Sequence, residues 1–359
     1  MKKIDKLLLI SVILISLLGL LMIYSSSTIW AEYKYNDPYK FLKTQAIFLV
    51  FGYFLIYIIS KIPYQIYLKY SNIILITCIT LLILVLIPGI GTIRNGSRSW
   101  FGIGPFGIQP SEFAKLGIII FTSKYLTNNK IKDIKTSVLP ILTIVLLIFG
   151  LIMLQPDFGT GIIIVITIIV LLFVSGVKMG FFIKLGIIGI IGIIGLIIIA
   201  PYRLKRIVSF INPWADPLGS GFQIIQSLYA IGPSGLLGSG LGNSIQKHFY
   251  LPEPQTDFIF SIISEELGFM GVIIISTLFI TIIYRGITIS IKQKDNFSKY
   301  LSFGLTFSLA FQTILNLMVV VGLIPVTGVT LPFLSYGGSS LLVSMTNIGI
   351  LLNISKYNK

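Results

Sequence analysis

Acidic side chains, cysteine and histidine are all scarce in this chain of 359 residues, which has 12 Asp and Glu together, one cysteine and one histidine. The lone cysteine, Cys78, excludes an internal disulfide and a thiolate metal site. The lone histidine, His248, falls in a predicted loop, and we interpret it as a surface residue. Zinc chemistry is therefore not expected.

Charge of either sign is also scarce: charged residues make up 11% of the chain and hydrophobic residues 55%, with a mean hydropathy of +0.96. A soluble fold cannot bury so much apolar surface, so the composition indicates a polytopic membrane protein. Runs of roughly 20 apolar residues cross a bilayer as helices. We predict an all-α fold, a single integral membrane domain over residues 1–359, with about ten spanning helices. The apolar runs are 7–29, 44–60, 71–88, 109–126, 138–154, 160–177, 182–201, 259–284, 299–323 and 333–354.

The distribution of basic residues predicts an orientation in the membrane. With ten helices and a cytoplasmic amino terminus, 17 of the 27 Lys and Arg residues fall on the cytoplasmic side, nine on the other side and one within a helix. The positive-inside rule therefore predicts that both termini are cytoplasmic. The net charge of +15 then follows from topology and from attraction to anionic lipids, so no nucleic-acid partner is expected.

A polar segment from about Tyr202 to Gly268 interrupts the hydrophobic pattern. Its part between the seventh and eighth predicted helices, residues 202–258, is predicted to be an extracytoplasmic loop that carries the active site. A carboxylate at the mouth of a membrane protein, beside basic residues of its own loop, favours chemistry on an anionic lipid. Five of the twelve acidic residues fall in the polar segment: Asp216, Glu253, Asp257, Glu265 and Glu266.

Nucleotide-binding glycine motifs give no support to a nucleotide-dependent function. Gly102-Ile-Gly104-Pro-Phe-Gly107 matches GxGxxG, but it contains a proline and follows no βαβ strand. A GxxxxGK motif followed by Ser or Thr does not occur in the sequence. We therefore expect neither a dinucleotide site nor ATP-driven transport by this chain alone.

Three ionisable residues lie at predicted helix starts. Glu112 and Lys115 open the fourth helix three positions apart, so they share a face and can neutralise each other, with Pro110 in the first turn. The pair is either a structural brace or part of a cavity lining, because ionisable groups at membrane depth usually face water or a polar ligand. Asp157 precedes the sixth helix and is in position to cap it.

Nine segments spread between residues 95 and 340 carry a family resemblance. They are Asn-Gly-Ser-Arg-Ser-Trp (95–100), Gln-Pro-Ser-Glu-Phe-Ala-Lys-Leu (109–116), Gln-Pro-Asp-Phe-Gly-Thr (155–160), Asn-Pro-Trp-Ala-Asp-Pro (212–217), Gly-Phe-Gln-Ile-Ile-Gln-Ser (221–227), Gly-Leu-Gly-Asn-Ser (240–244), Leu-Pro-Glu-Pro-Gln-Thr-Asp-Phe-Ile-Phe (251–260), Glu-Glu-Leu-Gly (265–268) and Leu-Pro-Phe-Leu-Ser-Tyr-Gly-Gly-Ser (331–339). On these residues the chain resembles the shape, elongation, division and sporulation family, whose members polymerise peptidoglycan. It is most similar to the division and sporulation branch.

The resemblance implies a glycosyltransferase acting on lipid II, a disaccharide-peptide linked through pyrophosphate to undecaprenol. The acceptor's GlcNAc 4-hydroxyl would attack C1 of the donor's MurNAc and expel the lipid pyrophosphate, in a single displacement with inversion. This step needs a general base, and the resemblance places the essential aspartate at Asp257. Its apolar neighbours Phe258, Ile259 and Phe260 would partly desolvate the carboxylate and make it a stronger base. The alternative role of Asp257 is to cap the eighth helix.

Further expectations concern substrate and partners. Basic residues on the outer side are candidates to face the pyrophosphate, although each taken singly also fits snorkelling to lipid head groups. A divalent cation, Mg²⁺ or Mn²⁺, could also bridge the pyrophosphate and Asp257. The family works with a class B penicillin-binding protein, a transpeptidase, in the bacterial cytoplasmic membrane. The predicted substrate-binding residues are Arg98, Glu112, Lys115, Arg203, Arg206, Gln223, Lys247 and Ser335.

Two functions of other classes remain as alternatives. A lipid II flippase would use the many helices and the buried charges, and a scaffold would only recruit the transpeptidase. The density of polar groups in the polar segment favours a polymerase, because a scaffold does not require them. The sequence leaves open whether the process served is division, sporulation or elongation.

Overall fold

The computed structural model describes residues 4–94, 96–102, 107–129, 137–199, 204 and 208–357. Within them the chain is predominantly helical, with one small β-hairpin formed by β1 (Thr92–Arg94) and β2 (Ser97–Trp100). A 3₁₀ turn covers Pro213–Ala215. The helices are α1 (Lys6–Tyr35), α2 (Lys40–Lys61), α3 (Gln65–Leu84), α4 (Pro110–Asn128), α5 (Leu139–Met153), α6 (Phe158–Val174), α7 (Met179–Ile199), α8 (Phe222–Ile231), α9 (Ile259–Ile291), α10 (Asn296–Val320) and α11 (Gly338–Ser355).

The helices define a multi-pass membrane protein, and the predicted all-α membrane class is confirmed. Six of the described helices are long and apolar enough to cross a membrane: α1, α2, α3, α9, α10 and α11. Shorter apolar helices, among them α5 and α6, accompany them. Helix α4 is less apolar because it carries Glu112, Lys115 and Lys124. Each of the ten predicted runs overlaps one described helix, and α8 is the described helix that none of them covers.

Two features of the chain differ from the sequence prediction. The last predicted run starts at 333, whereas α11 begins at Gly338, because Phe333 has a φ of +66° and lies in a non-helical turn. The loop predicted at 202–258 contains a helix, α8, which buries Ile224, Ile225 and Ala230. Helix α8 is only ten residues long, so a search for membrane-length runs does not detect it.

The helices pack around α4 and α10, which lie at the centre of the bundle. Helix α10 contacts α4, α6, α9 and α11, while α2 packs along α11 and α1 along α9. Close approach of α4 and α10 depends on Gly304, whose added Cβ would lie 2.7 Å from Cγ2 of Ile119. Residues on these two helices therefore share the interior of the bundle.

Both described ends of the chain meet at one end of the bundle, called here the terminal end. The Asp5 carboxylate caps α1 by accepting from Leu8 N at 3.0 Å and also accepts from Arg285 Nε at 2.9 Å. The Asp5 backbone N–H donates to Ser355 Oγ at 3.1 Å. These contacts join the start of α1 to the ends of α9 and α11. The β-hairpin, which connects α3 to α4, and residues 208–258, which lead into α9, lie at the opposite end of the bundle.

Helix α9 is interrupted at Gly268, which has φ +62° and ψ −161°. Residues 235–240 supply the hydrogen bonds that the helix loses there. Phe269 N donates to Gly235 O at 3.0 Å and Met270 N donates to Leu236 O at 3.1 Å. In the other direction, Ser239 N and Gly240 N donate to the carbonyls of Glu265 and Glu266. Helix breaks inside membranes are tolerated where protein groups satisfy the freed backbone in this way.

Candidate active site

Asp257 lies at the last turn before α9, on a partly exposed rim with an apolar floor. The following residues Phe258, Ile259 and Phe260 are buried. One carboxylate oxygen, Oδ1, accepts a hydrogen bond from Thr256 Oγ1 at 3.0 Å. The N-cap residue of α9 is Phe258, so the alternative in which Asp257 caps this helix is wrong. The partly exposed carboxylate therefore lies at an apolar boundary, which is the setting expected for a base.

The main chain at Asp257 is fixed by a side chain from α10. Asn316 Nδ2 donates to the Asp257 carbonyl oxygen at 2.7 Å and to the Val329 carbonyl oxygen at 2.7 Å. Asn316 is only 1% exposed. No local sequence pattern points to Asn316, because it lies 59 positions from Asp257.

Glu112 and Lys115 form the ion pair that their spacing predicts. Lys115 Nζ lies 2.9 Å from Glu112 Oε2, and both side chains are buried. Lys115 Nζ also donates to Gln312 Oε1 at 2.7 Å, and Gln312 Nε2 donates to Thr330 O at 3.0 Å. Pro110 occupies the first turn of α4, as predicted. Gln312 was missed by sequence reasoning for the same reason as Asn316: its partner lies 197 positions away.

Asp157 is confirmed as the N-cap of α6, where its Oδ1 accepts from Thr160 N at 3.2 Å. Its second oxygen, Oδ2, accepts from Gln109 Nε2 at 3.0 Å and from Ser111 Oγ at 3.1 Å. Both donors lie at the start of α4, immediately before Glu112. Asp157 therefore joins the starts of α4 and α6, which the sequence did not predict.

Ser335 lies in the turn before α11, and its hydroxyl accepts from Leu331 N at 2.7 Å. The next residue, Tyr336, donates its backbone N–H to the Gln255 carbonyl at 2.8 Å, which ties this turn to the chain just before Asp257. Burial raises the pKa of Tyr336, so its phenol stays protonated at neutral pH. The structure thus brings Ser335 to the Asp257 region, where its hydroxyl already closes a turn.

Lys247 lies in a buried cluster of its own, between α1 and α9. Its Nζ is 2.9 Å from Glu266 Oε1, 2.5 Å from Gly242 O and 3.4 Å from Ser25 Oγ. Glu266 is fully buried and also accepts from the Ser25 hydroxyl. The neighbouring Glu265 accepts from Ile245 N at 2.7 Å. The ammonium group of Lys247 is thus held by protein acceptors, a role that the prediction of substrate binding did not include.

The remaining predicted substrate-binding residues lie on the β-hairpin, on α8 or outside the described residues. Arg98 lies on β2, opposite Ile93 of β1, and is partly exposed. The adjacent Ser97 donates its hydroxyl hydrogen to the Gln155 carbonyl, which holds the hairpin near Asp157. Gln223 lies in the first turn of α8 and is partly buried. Arg203 and Arg206 lie outside the described residues.

Taken together, the geometry links Asp257, Glu112, Lys115, Asp157 and Ser335 into one polar region around α10 and the start of α4. The main-chain carbonyl of Asp257 and the buried ammonium of Lys115 are bound by two amide side chains on one face of α10, and the Asp257 carboxylate lies at the apolar rim. This pairing suits a membrane enzyme that moves a proton near an anionic group. The fold and this region therefore define a multi-pass membrane protein with an enzyme-like polar site.

The family follows from comparison with known proteins. Residues 5–359 match the family model of FtsW, RodA and SpoVE, described as cell cycle protein. The chain therefore belongs to the FtsW/RodA/SpoVE family. This is the same family that the nine sequence segments indicated, so the predicted membership is confirmed.

Individual relatives match over nearly their whole length. The chain is 51% identical to stage V sporulation protein E of Bacillus subtilis (strain 168) over 357 residues, covering 99% of this chain and 98% of the relative. It is 40% identical over 353 residues to a protein of Trichlorobacter lovleyi named probable peptidoglycan glycosyltransferase FtsW, covering 98% and 93%. Relatives of both the sporulation and the division type are thus similar to this chain.

Solved structures share the fold. A structure described as structural coordination of polymerization and crosslinking by a peptidoglycan synthase complex superimposes with a TM-score of 0.80 at 29% identity, covering 99% of both chains. The crystal structure of the rod shape determining protein RodA of Thermus thermophilus gives a TM-score of 0.73 at 27% identity, covering 99% of this chain and 97% of that one. The arrangement of helices is therefore that of a known class of membrane protein.

Proposed function

We propose that this protein is a peptidoglycan glycosyltransferase that polymerises lipid II, with Asp257 as its general base. The observation that carries the proposal is the placement of Asp257 on a partly exposed apolar rim, with its main chain fixed by Asn316. Relatives named as peptidoglycan glycosyltransferases align with nearly the whole chain. The structural likeness to a peptidoglycan synthase complex supports the same function.

The proposed reaction is a single displacement, which needs one carboxylate as general base and no covalent nucleophile. Asp257 accepts the proton of the acceptor's GlcNAc 4-hydroxyl as its oxygen forms a bond to C1 of the donor's MurNAc. The bond from C1 to the pyrophosphate oxygen breaks, and the undecaprenyl pyrophosphate leaves with the electron pair. One displacement inverts the α-linked donor to a β-linked glycan. General base catalysis of this kind contributes about 10²–10⁴-fold to a rate.

The departing pyrophosphate needs positive charge. Lys115 is the proposed candidate, because Gln312 of α10 binds it one turn from Asn316, which holds the main chain of Asp257. Arg98, Arg203, Arg206 and Lys247 remain proposed contributors, and Glu112, Gln223 and Ser335 remain proposed polar contacts.

A divalent cation is a further proposed source of charge. Among the described residues, no group of three or more His, Cys, Asp or Glu side chains is arranged to hold a metal ion. Mg²⁺ is commonly held by one or two carboxylates together with substrate phosphates. Asp257 fits that arrangement as the carboxylate, and Mg²⁺ or Mn²⁺ bound there would neutralise charge on the pyrophosphate.

The proposed location is the bacterial cytoplasmic membrane. Both termini lie in the cytoplasm, and the loop 202–258 carries the active site on the extracytoplasmic side. The excess of Lys and Arg in the loops of the terminal end supports this orientation. The whole chain acts as one integral membrane domain, within which α8 packs against α9 and α10.

The proposed partner is a class B penicillin-binding protein, which crosslinks the glycan that this chain makes. Support comes from the similar solved structure, whose description couples polymerization with crosslinking in one complex. The process served is cell division, sporulation or elongation, since the relatives named above include both sporulation and division proteins.

The test is glycan formation from purified lipid II by this protein with its transpeptidase partner, followed on a gel. The wild type should form long glycan, and an Asp257→Asn variant should form at least about 10²-fold less. Asp216→Asn is the matched control, because Asp216 is an exposed aspartate of the same polar segment whose carboxylate accepts from Ser220 N in a local turn. Equal product from Asp257→Asn and wild type would remove Asp257 as the base.

Two alternative functions give different results in the same assay. A flippase moves lipid II across the membrane of a vesicle without forming polymer. A scaffold needs only to bind the transpeptidase. A wild type that binds the partner but makes no glycan would overturn the polymerase proposal. Transport of a fluorescent lipid II in vesicles would then separate the flippase from the scaffold.

A further inference from the structure

We propose that α10 sets the spacing between the general base and the cation of the active site, with Asn316 and Gln312 as positioning residues. Neither residue is proposed to touch substrate. Asn316 acts through the main chain of Asp257, and Gln312 acts through the side chain of Lys115. The inference rests on the proposed function and names two residues that the reaction requires beyond its base and its cation.

Asn316 holds the point at which the chain turns into α9. Its side-chain amide donates both hydrogen bonds to main-chain carbonyls, that of Asp257 and that of Val329, each at 2.7 Å. The residue is 1% exposed, so water cannot replace these bonds at low cost. Only Phe258 separates Asp257 from Ile259, the first residue of α9. Loss of this anchor would let the carboxylate shift on its rim.

Gln312 does the equivalent for Lys115. Its Oε1 accepts from Lys115 Nζ at 2.7 Å, and its Nε2 donates to Thr330 O at 3.0 Å. Thr330 follows Val329, so the two amide side chains bind adjacent carbonyls of one extended segment. Residues four apart on a helix lie on the same face, about 6 Å from each other. One turn of one rigid helix therefore holds both the main chain of the base Asp257 and the side chain of the cation Lys115.

Spacing of this kind has a direct kinetic consequence. A displacement of about 1 Å in a catalytic group can cost about 10²-fold in rate. Misplacing the base slows the chemical step, whereas misplacing a cation that binds the pyrophosphate in ground and transition states alike weakens substrate binding. Asn316 and Gln312 should therefore give opposite signatures, the first in kcat and the second in KM.

The competing explanation is that both amides only stabilise the fold. Asn353 provides a matched control, because it is a buried asparagine that joins a helix to another segment in the same manner. Its Nδ2 donates to Ser60 O at 2.8 Å and its Oδ1 accepts from Tyr64 N at 3.1 Å. It lies at the terminal end of the bundle, away from Asp257.

The experiment compares Asn316→Leu, Gln312→Leu and Asn353→Leu in the full-length protein with its partner. Steady-state polymerisation of lipid II gives kcat and KM, and thermal unfolding gives Tm for each variant. We expect Asn316→Leu to lower kcat about 100-fold with KM changed less than about twofold. Gln312→Leu should raise KM about 10-fold with a smaller effect on kcat. Asn353→Leu should lower Tm comparably while kcat and KM per folded molecule stay near wild type.

A less disruptive variant covers the case in which Asn316→Leu does not fold. Asn316→Ser is smaller and keeps a hydroxyl, but this hydroxyl is one bond too short to replace the amide at the two carbonyls, so its kcat should lie clearly below wild type. The same kinetic signature for all three Leu variants, in proportion to lost Tm, would overturn the inference. So would a wild-type kcat for Asn316→Ser with an unchanged Tm. A wild type that makes no glycan would instead defeat the proposed function, so the two failures are distinguishable.

Discussion

Gly268 and Gly238 lie against each other with their main chains in contact, at the point where α9 is interrupted. A Cβ added to Gly268 would overlap the Gly238 nitrogen and lie 2.7 Å from the Leu236 carbonyl carbon. Both glycines have positive φ, +62° and +72°. The contact allows residues 235–240 to bind the interrupted helix on both sides of Gly268, at Glu265 and Glu266 and at Phe269 and Met270.

Gly268→Ala should therefore unfold or strongly destabilise this region. The positive φ alone costs about 1–3 kcal/mol for a residue with a Cβ, and the overlap with main-chain atoms adds to it. Thermal unfolding of the purified protein in detergent measures the loss. Gly186→Ala is the control, because nothing lies within 4 Å of its added Cβ and alanine favours a helix. Similar Tm values for both variants would contradict this account of the glycine contact.

Neutralising one member of the Lys247–Glu266 pair should destabilise the protein more than neutralising both. Lys247→Met leaves the fully buried Glu266 without its counter-charge, which costs about 3–5 kcal/mol. The double variant Lys247→Met with Glu266→Gln should recover most of the lost stability, as measured by Tm.

The same double variant tests the predicted role of Lys247 in substrate binding. If Lys247 binds the pyrophosphate, the stabilised double variant still has a KM for lipid II above the wild-type value. If its role is confined to the ion pair, KM returns to the wild-type value. A double variant less stable than Lys247→Met alone would contradict the ion-pair account.

Lys115→Met should weaken binding of lipid II. A charge-assisted hydrogen bond contributes about 1.5–3 kcal/mol, so its loss should raise KM about 10-fold or more. The measurement is KM in the polymerisation assay, with Tm as the companion value. Lys124→Met is the control, since Lys124 lies on the same helix and makes an exposed 3.4 Å contact to Asn72 Oδ1. If Lys115→Met combined with Glu112→Gln restores both Tm and KM, the pair is a structural brace and does not bind substrate.

Asp157→Asn and Asp157→Ala should separate the two roles of this side chain. Asparagine is as good an N-cap as aspartate, so Asp157→Asn keeps the bond to Thr160 N but cannot accept with a second oxygen from Gln109 and Ser111. Asp157→Ala loses the cap as well, which costs about 1 kcal/mol more. Tm should therefore fall in the order wild type, Asn, Ala. Equal values for Asn and wild type would mean that the link to α4 contributes nothing.

Several parts of the site could be predicted because they are local in sequence. Glu112 and Lys115 are three positions apart, so helical geometry alone brings them together. Asp157 stands directly before the first residue of α6, where the free N–H groups of the helix require an acceptor. The capping role considered for Asp257 failed by one residue, since Phe258 has the N-cap position.

Other parts could not be predicted, because their partners are distant in the chain. Asn316 reaches Asp257 across 59 positions, Gln312 reaches Lys115 across 197, and Lys247 reaches Ser25 across 222. No periodicity relates such pairs, since helix packing alone decides which faces meet. Helix α8 and the late start of α11 were missed because short helices and apolar turns do not change the composition of a membrane-length window.

The sequence by itself determined that this is a multi-pass α-helical membrane protein, because runs of apolar residues can only be satisfied in a bilayer as hydrogen-bonded helices. Its motifs also determined the family and the identity of the candidate base. Only the tertiary structure decided how that base is held. The reason is physical: Asp257, Lys115 and the 329–330 carbonyls come from three separate segments, and only the packing of α10 between them places all three on one helical face.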